Sequence, residues 1–381
     1  MRILLIGEYS RLHNSLKEGL VSLGHEVTLV GDGDGFKQYP ADYSIEARWC
    51  NTKILNIPRQ AVVRLFKFDI AKIERALRFY LLNSKLKGFD IVQLINEAPI
   101  KTTPSFEAFL LKRIFRQNKK SFVLSCGIDY ISARYMLDRK LKYSLMDPFF
   151  KDASLKDIYS YIFAYTTAKH KKLHDVVLAN VSGIIASDID YVLPLQQHSK
   201  FLGLAPNPVN LGKLTSAKAV TDDQIVIFLG INRWNYIQKG IPYFEDALNI
   251  VKEKYGSRIE VIVSENIPYK EYISLYDRAD ILLDQVYAYD QGYNALEAMA
   301  KGKVVFTGAE TEFMNHYQLK ERVAVNANPN VTELVRELSY LIENPQEIDA
   351  ISKRARAFIE KEHDHVNAAR RYLRLWENDL L

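Results

Sequence analysis

Glu297 stands five positions after a glycine in the run Gly292-Tyr293-Asn294-Ala295-Leu296-Glu297. A glycine-containing turn that opens a helix leaves backbone N–H groups and the positive end of the dipole facing outward, which is an anion site. Gly292, Tyr293 and Asn294 supply that turn. Glu297 then falls in the first or second turn of a helix otherwise made of Ala, Leu and Met. A carboxylate there can accept hydrogen bonds from the vicinal hydroxyls of a ribose, or it can do no more than favour the helix dipole.

Other constellations carry less. Asp32-Gly33-Asp34 has the spacing of a metal-binding carboxylate pair, but it sits in a Gly-rich loop after an early strand and reads as a turn. His170 and His174 are four apart on a helix, yet His-Lys-Lys-Leu-His lacks the glutamate of the zinc-protease pattern, and its two lysines repel a cation. Gly7-Glu8-Tyr9-Ser10 is not a Gly-x-Gly-x-x-Gly fingerprint, and neither a P-loop nor a Gly-x-Ser-x-Gly elbow occurs.

The elements that must position these residues alternate between strand and helix. Arg2–Ile6, a helix over 12–23 closed by Gly24, and Val27–Val30 make a βαβ opening, which implies a parallel sheet. The pattern returns with strands at 89–95 and 122–126, a helix at 105–117, one long helix over 156–177 and a strand at 184–187. A Pro-rich segment, Leu204-Ala-Pro-Asn-Pro-Val209, and the polar stretch to Asp223 mark a domain boundary. A second series follows, with strands at 225–231, 259–264, 281–286, 303–307 and 323–325. Its helices are at 240–254, 269–278, 293–300 and 331–343, and two more follow Pro345. The expected organisation is two doubly wound α/β domains, 1–210 and 211–364. The amphipathic C-terminal helix, 365–381, is expected to pack back on the first domain. Ligands of such sheets sit at the carboxyl ends of strands.

With 381 residues, 48% apolar and 25% charged, the chain has the composition of a folded protein of two domains. No apolar run reaches the ~18 residues of a membrane span, and the N-terminus reads as a strand without a signal peptide. Two cysteines make no disulfide framework or metal spacing, so a reducing cytoplasm is expected. Charge is uneven: residues 1–210 carry 30 basic against 20 acidic side chains, and the remainder 21 against 26. The window 53–120 holds 15 basic and 5 acidic. Two amphipathic helices with solvated basic faces account for it, as does a surface for anionic lipid headgroups spanning 75–120. Nucleic acid is disfavoured because no binding motif accompanies the charge.

Leu296-Glu-Ala-Met-Ala-x-Gly-Lys-Val-Val305, preceded by Gly292-Tyr293, resembles the signature of family-4 retaining glycosyltransferases of the GT-B fold. The resemblance extends to Gly230-Ile-Asn-Arg233, to Lys239-Gly240 and to Tyr276-x-x-Ala-Asp280. Ile6-Gly-Glu-Tyr-Ser10 and Gly24-His-Glu-Val27 are similar to that family's opening βα unit. It implies two Rossmann-like domains facing across a cleft, with Glu297 on the ribose of a nucleotide-sugar donor and Arg233 and Lys239 on its diphosphate. Two cations and helix N–H groups stabilise a diphosphate leaving group without a metal, so no cofactor is expected. Domain closure would exclude water.

The chain departs from the family at two places. Tyr289 occupies the position of the glutamate that usually contacts the donor sugar, with Asp290 adjacent as a substitute. Cys126 stands where many members carry a histidine before Gly-x-Asp, which leaves Asp129 as an acid/base candidate or a helix cap. Glu8, Ser10, His13 and Glu97 lie near strand ends as further acceptor-side candidates. The resulting expectation is transfer of a sugar to a glycan or lipid-linked glycan in surface polysaccharide synthesis, with retention as the resemblance implies, or with inversion if Asp129, Glu8 or Glu97 acts as base. A silent scaffold, a phosphorylase and a nucleotide-sugar epimerase of the same architecture are the alternatives.

Overall fold

The computed structural model describes residues 1–214, 224–265, 267 and 269–378. The first half of the chain runs β1 (Arg2–Ile6), α1 (Leu12–Ser22), β2 (Glu26–Gly31), β3 (Tyr43–Ser44), α2 (Lys53–Phe66), α3 (Ala71–Leu81), β4 (Ile91–Leu94), α4 (Pro104–Gln117), β5 (Lys120–Ser125) and α5 (Tyr130–Leu137). It continues with α6 (Asp147–Lys151), α7 (Ser160–Tyr165), α8 (Ala168–Asn180), β6 (Gly183–Ala186), α9 (Ile189–Leu195) and β7 (Phe201–Leu204). The second half runs β8 (Ile225–Ile231), α10 (Ile241–Tyr255), β9 (Ile259–Glu265), α11 (Tyr269–Arg278), β10 (Ile281–Leu283), α12 (Tyr293–Ala300), β11 (Val304–Thr307), α13 (Thr311–His316), β12 (Val325–Asn326), α14 (Val331–Glu343), α15 (Pro345–Phe358) and α16 (His365–Asn378).

The strands form two wholly parallel sheets, ordered β3-β2-β1-β4-β5-β6-β7 and β12-β11-β10-β8-β9. Chain order reverses direction between β1 and β4 and again between β8 and β10, as in doubly wound folds. Both faces of each sheet are covered, so the central strands are continuous apolar runs. Ile3 to Ile6 and Ile227 to Leu229 are all buried. Leu110, Leu111 and Ile114 of α4 and Leu173 and Val177 of α8 close one face of the first sheet over Val92, Leu94, Val123 and Ile184.

The chain divides into two compact units. The first is 1–135, 160–208 and the segment from His365; the second is 136–159 and 209–364. Residues 136–159 thus group with the second unit, unlike in a single cut at 210/211. Their partners in the second unit explain why: the Tyr289 hydroxyl accepts from Lys142 N at 2.8 Å, Tyr143 bonds Glu310, and Lys151 reaches the Tyr243 hydroxyl at 3.3 Å. In place of the long helix expected over 156–177 the chain forms α7 and α8, parted at Thr166 and Thr167. Thr167 starts α8 afresh, its hydroxyl accepting from His170 N. Residues 215–223, part of the polar stretch read as a boundary, lie outside the described residues.

In the first unit α16 lies along α1. A Cβ on Gly19 would stand 2.1 Å from the His365 carbonyl oxygen, so the close approach requires glycine. Trp376 is fully buried against Phe122 and Tyr372, and its indole N–H donates to Gln93 Oε1 at 2.9 Å. Trp376→Ala is expected to lower the stability of this unit by about 3–5 kcal/mol, read as an earlier denaturant midpoint in tryptophan-independent far-UV circular dichroism.

Candidate functional site

The second unit gathers its site residues after β8, β9 and β10. The loop after β8 is a chain of turns, in which Asn232 Oδ1 accepts from Trp234 N and the Asn235 carbonyl from Lys239 N. Gly240 ends it with φ +68° and caps α10. A Cβ there would lie 2.2 Å from Val286 Cγ2, so this position needs glycine for both reasons. Arg233 is half-exposed and makes a bidentate pair with Glu265 at the end of β9, at 2.7 and 2.5 Å. That bonding raises the guanidinium above its ordinary value and holds the Glu265 carboxyl below the usual range. An exposed pair of this kind is weak, and an incoming anion can compete for the arginine.

Lys239 Nζ lies 2.7 Å from Asp284 Oδ1. The same buried oxygen accepts from Asn294 Nδ2 at 3.0 Å, and Oδ2 faces Thr307 Oγ1 at 3.4 Å. Asp284 thus ties the loop after β8 to the first turn of α12. Sequence reading missed it because the strand was extended to Val286; β10 ends at Leu283, so Asp284 is the first residue past a carboxyl end. Gly292 precedes α12 with φ −82°, no side chain caps the helix, and the space beside Gly292 is open. Asn294 is held further by the Tyr272 hydroxyl at Oδ1 (3.4 Å) and the Tyr276 hydroxyl at its carbonyl (3.2 Å). Tyr293 and Glu297 are partly exposed on this helix. Burial, then the Glu297 charge, push the Tyr276 phenol well up.

Asp290, the neighbour of Tyr289, is engaged within the fold. It is buried, its Oδ1 accepts from Gln291 N at 2.7 Å, and Gly308 is pressed against its backbone. Tyr289 is also buried, stacked near Tyr143, and its hydroxyl is the acceptor for Lys142 N.

In the first unit Glu8, Ser10 and Glu97, three of the acceptor-side candidates, are engaged in internal hydrogen bonds. Glu8 is buried and accepts from His13 N (3.3 Å), Asn14 N (2.9 Å) and Asn14 Nδ2 (2.7 Å), which serves the start of α1. Burial raises its pKa to about 7. His13 is buried with Nδ1 on the Gly7 carbonyl oxygen, and burial lowers it to about 3. Ser10 donates its N–H to Asp34 and accepts from Lys37, while Lys101 bonds Asp32 at 2.9 Å. Asp32-Gly33-Asp34 is accordingly a turn, closed by Asp34 N on Asp32 Oδ1. Asp129 is buried and caps α5: Oδ1 accepts from Ser132 N at 2.7 Å and Oδ2 from the Ser125 hydroxyl. Burial and the nearby Glu97 raise its pKa. Cys126 is partly exposed, its thiol pushed up chiefly by burial.

Glu97 is the buried centre of this unit. His170 Nε2 and His174 Nδ1 each meet one of its oxygens at 2.7 Å, and Tyr130 N donates at 2.7 Å. The two histidines that could have suggested a metal are therefore ligands of a carboxylate. Glu97, Ser125, Asp129 and His174 also line a cavity of about 20 Å³, room for roughly one water. Among the described residues no group of three or more His, Cys, Asp or Glu is arranged to hold a metal.

Two parallel-sheet Rossmann-like units of seven and five strands define the GT-B fold. Residues 238–374 match the family described as glycosyl transferase-like. Sucrose-phosphate synthase of Thermosynechococcus elongatus is similar over 99% of this chain and 98% of its own, at 14% identity and a TM-score of 0.62. HepE of Anabaena, crystallised with UDP and glucose, is similar over 99% of each chain, at 12% identity and a TM-score of 0.58. The UDP-GlcNAc 2-epimerase of Neisseria meningitidis, bound to UDP-GlcNAc, is similar over 99% of this chain and 100% of its own, at 15% identity and a TM-score of 0.51. No curated protein matches the sequence.

Two outcomes follow from this geometry. Tyr289→Phe leaves the Lys142 N–H without its acceptor and is expected to cost about 1 kcal/mol or more, measured by urea denaturation. Burial alone would raise Glu97, but the bonds from His170 and His174 outweigh it and hold the carboxyl below its ordinary value. A depressed carboxylate contributes stability above its unfolded pKa and loses it as pH falls through the folded value. Glu97→Gln should therefore be less stable at neutral pH and show a flatter decline below pH 4.5 than wild type.

Proposed function

We propose that the protein transfers a sugar from a nucleotide-diphosphate donor held by the second unit. The observation that carries this reading is one edge of one sheet: the uncapped N-terminus of α12, Glu297 on the same helix, and the cations Arg233 and Lys239 on the loop after β8. The match of 238–374 to a glycosyl transferase-like family supports it. In this reading Glu297 accepts from the ribose hydroxyls, and the first N–H groups of α12 meet the diphosphate. Arg233 leaves Glu265 for the diphosphate, and Lys239, aimed by Asp284, completes the neutralisation that a metal would otherwise supply.

The finer expectations also belong here. The sugar is transferred with retention, and the departing diphosphate takes the acceptor proton, so no protein base is needed. This agrees with the engagement of Asp129, Glu8 and Glu97 in buried hydrogen bonds. The acceptor is a glycan or lipid-linked glycan of surface polysaccharide synthesis, on the cytoplasmic side. A second reading, epimerisation of the donor itself, is favoured by the likeness to the Neisseria epimerase.

A thermal-shift series with nucleoside diphosphates and their sugar conjugates tests the donor site, since a ligand of the folded state raises the midpoint. One nucleotide is expected to stabilise wild type and to have no effect on Glu297→Ala. Absence of any shift in folded protein would favour a silent scaffold. With the donor so identified, Lys239→Ala is expected to lower kcat/KM about 10²–10³-fold. Conversion of the donor sugar without an acceptor would establish the epimerase reading instead.

A further inference from the structure

α2 is a helix of 14 residues with none buried. Ile54, Ile57, Ala61 and Leu65 recur at three- and four-residue spacing and share one face. Ile54 is 84% exposed, Ile57 77%, Leu65 76% and Phe66 73%. An amphipathic helix ordinarily buries that face on its own core, and here the face is left to something else. Exposed Leu77, Tyr80 and Leu81 of α3 and Phe106 and Phe109 of α4 add to the apolar surface of this unit. Arg113 bridges α3 and α4, its guanidinium 5.2 Å from the Tyr80 ring and 5.8 Å from that of Phe109.

The charge around this surface selects its occupant. All five acidic side chains between 53 and 120 are engaged. Asp69 is held by Arg59, Glu74 by Arg78 and two backbone N–H groups, and Asp90 by Lys119. Glu97 is held by its histidines and Glu107 by the N–H groups of Ile100 and Thr102. Lys53, Arg64, Lys67, Lys72, Lys112 and Arg116 have no acidic partner among the described residues. A twofold dimer would set this patch against itself, placing unpaired cations opposite unpaired cations with no free carboxylate to receive them. A surface of anionic headgroups over an apolar interior complements both features at once. At about 1.5 Å per residue, 14 residues reach ~21 Å, short of a bilayer's ~30 Å core, so the helix would lie in the interface plane and not cross.

We propose that α2 is an interfacial docking helix that sets the first unit on an anionic membrane surface, with Ile54, Ile57, Leu65 and Phe66 inserted and Lys53, Arg64 and Lys67 on the headgroups. This moves the contact from the window 75–120, where basic and aromatic residues placed it in the sequence, to a helix upstream. The inference does not rest on transfer chemistry.

The test is co-sedimentation of the full chain with vesicles of phosphatidylcholine alone and of phosphatidylcholine and phosphatidylglycerol in equal parts. Wild type is expected to bind the anionic vesicles and to release in high salt. The exposed-face variant Ile54→Ser, Ile57→Ser, Leu65→Ser, Phe66→Ser should lose at least about tenfold in partitioning. Lys53→Ser, Arg64→Ser, Lys67→Ser should lose the preference for anionic over neutral vesicles. Both variants should keep wild-type far-UV circular dichroism and the wild-type nucleotide thermal shift, if one exists, which separates this result from the donor-site result. Equal vesicle binding by wild type and the apolar variant would overturn the proposal. So would a wild type that ignores vesicles but is dimeric by light scattering and becomes monomeric in the apolar variant.

Discussion

The candidate donor site depends on one buried carboxylate. Asp284 stands at the first position beyond β10, the central strand of a five-stranded sheet, and its backbone N–H is tied to the Phe306 carbonyl oxygen. A buried carboxylate needs donors to offset its desolvation. Asp284 takes them from three different elements: Lys239 before α10, Asn294 in the first turn of α12, and Thr307 at the end of β11. Meeting that requirement fixes the spacing between a cation and a helix N-terminus, which is the geometry an anionic ligand would use. The glycine at 240 belongs to the same constraint, because the chain must pass Val286 with no side chain for Lys239 to arrive at Asp284.

The first unit solves the same problem with a different result. Glu97 is as deeply buried as Asp284, but its donors are two imidazoles and a backbone N–H, and α5 and α8 are drawn together over it. Asp129 and Glu8 are likewise consumed by the starts of α5 and α1. Carboxylates at the carboxyl ends of parallel strands thus serve as internal acceptors in both units. Those in the first unit hold helices in place and have their oxygens filled from within. In the second unit Arg233, Lys239 and Glu297 remain partly exposed beside an uncapped helix. Position at a strand end is necessary for a site in this fold, and it does not distinguish the two.

What was legible in the sequence follows from range. Arg2–Ile6 and Ile225–Ile231 are apolar runs bounded by glycine or polar residues, and the strands fall on them without displacement. The helix beginning at Tyr293 and the turn at Gly292 were equally local signals. The partners of Glu97 lie 73 and 77 positions away, and Lys142 meets Tyr289 across 147, so nothing in the neighbouring residues announces them. α2 escaped for another reason. Its apolar period is regular, but a period reports that a face seeks cover and not where the cover comes from.

Tyr289 shows how the two scales meet. Read by position alone, a phenol in place of a carboxylate looks like the loss of a sugar contact. The fold gives it a partner from the first half of the chain, since its hydroxyl accepts from Lys142 N while Tyr143 stacks near its ring and bonds Glu310 after β11. A glutamate here would bring a second charge beside Glu310, whose carboxyl is already held below its ordinary value by Tyr143, Asn326 and Lys142 against the effect of burial. The neutral tyrosine avoids that repulsion and keeps residues 136–159 attached to the second unit. The residue at 289 is thus coupled to the way this chain crosses between its units: a tyrosine keeps a charge out of the loop after β10 and supplies the hydrogen-bond acceptor that the crossing segment requires.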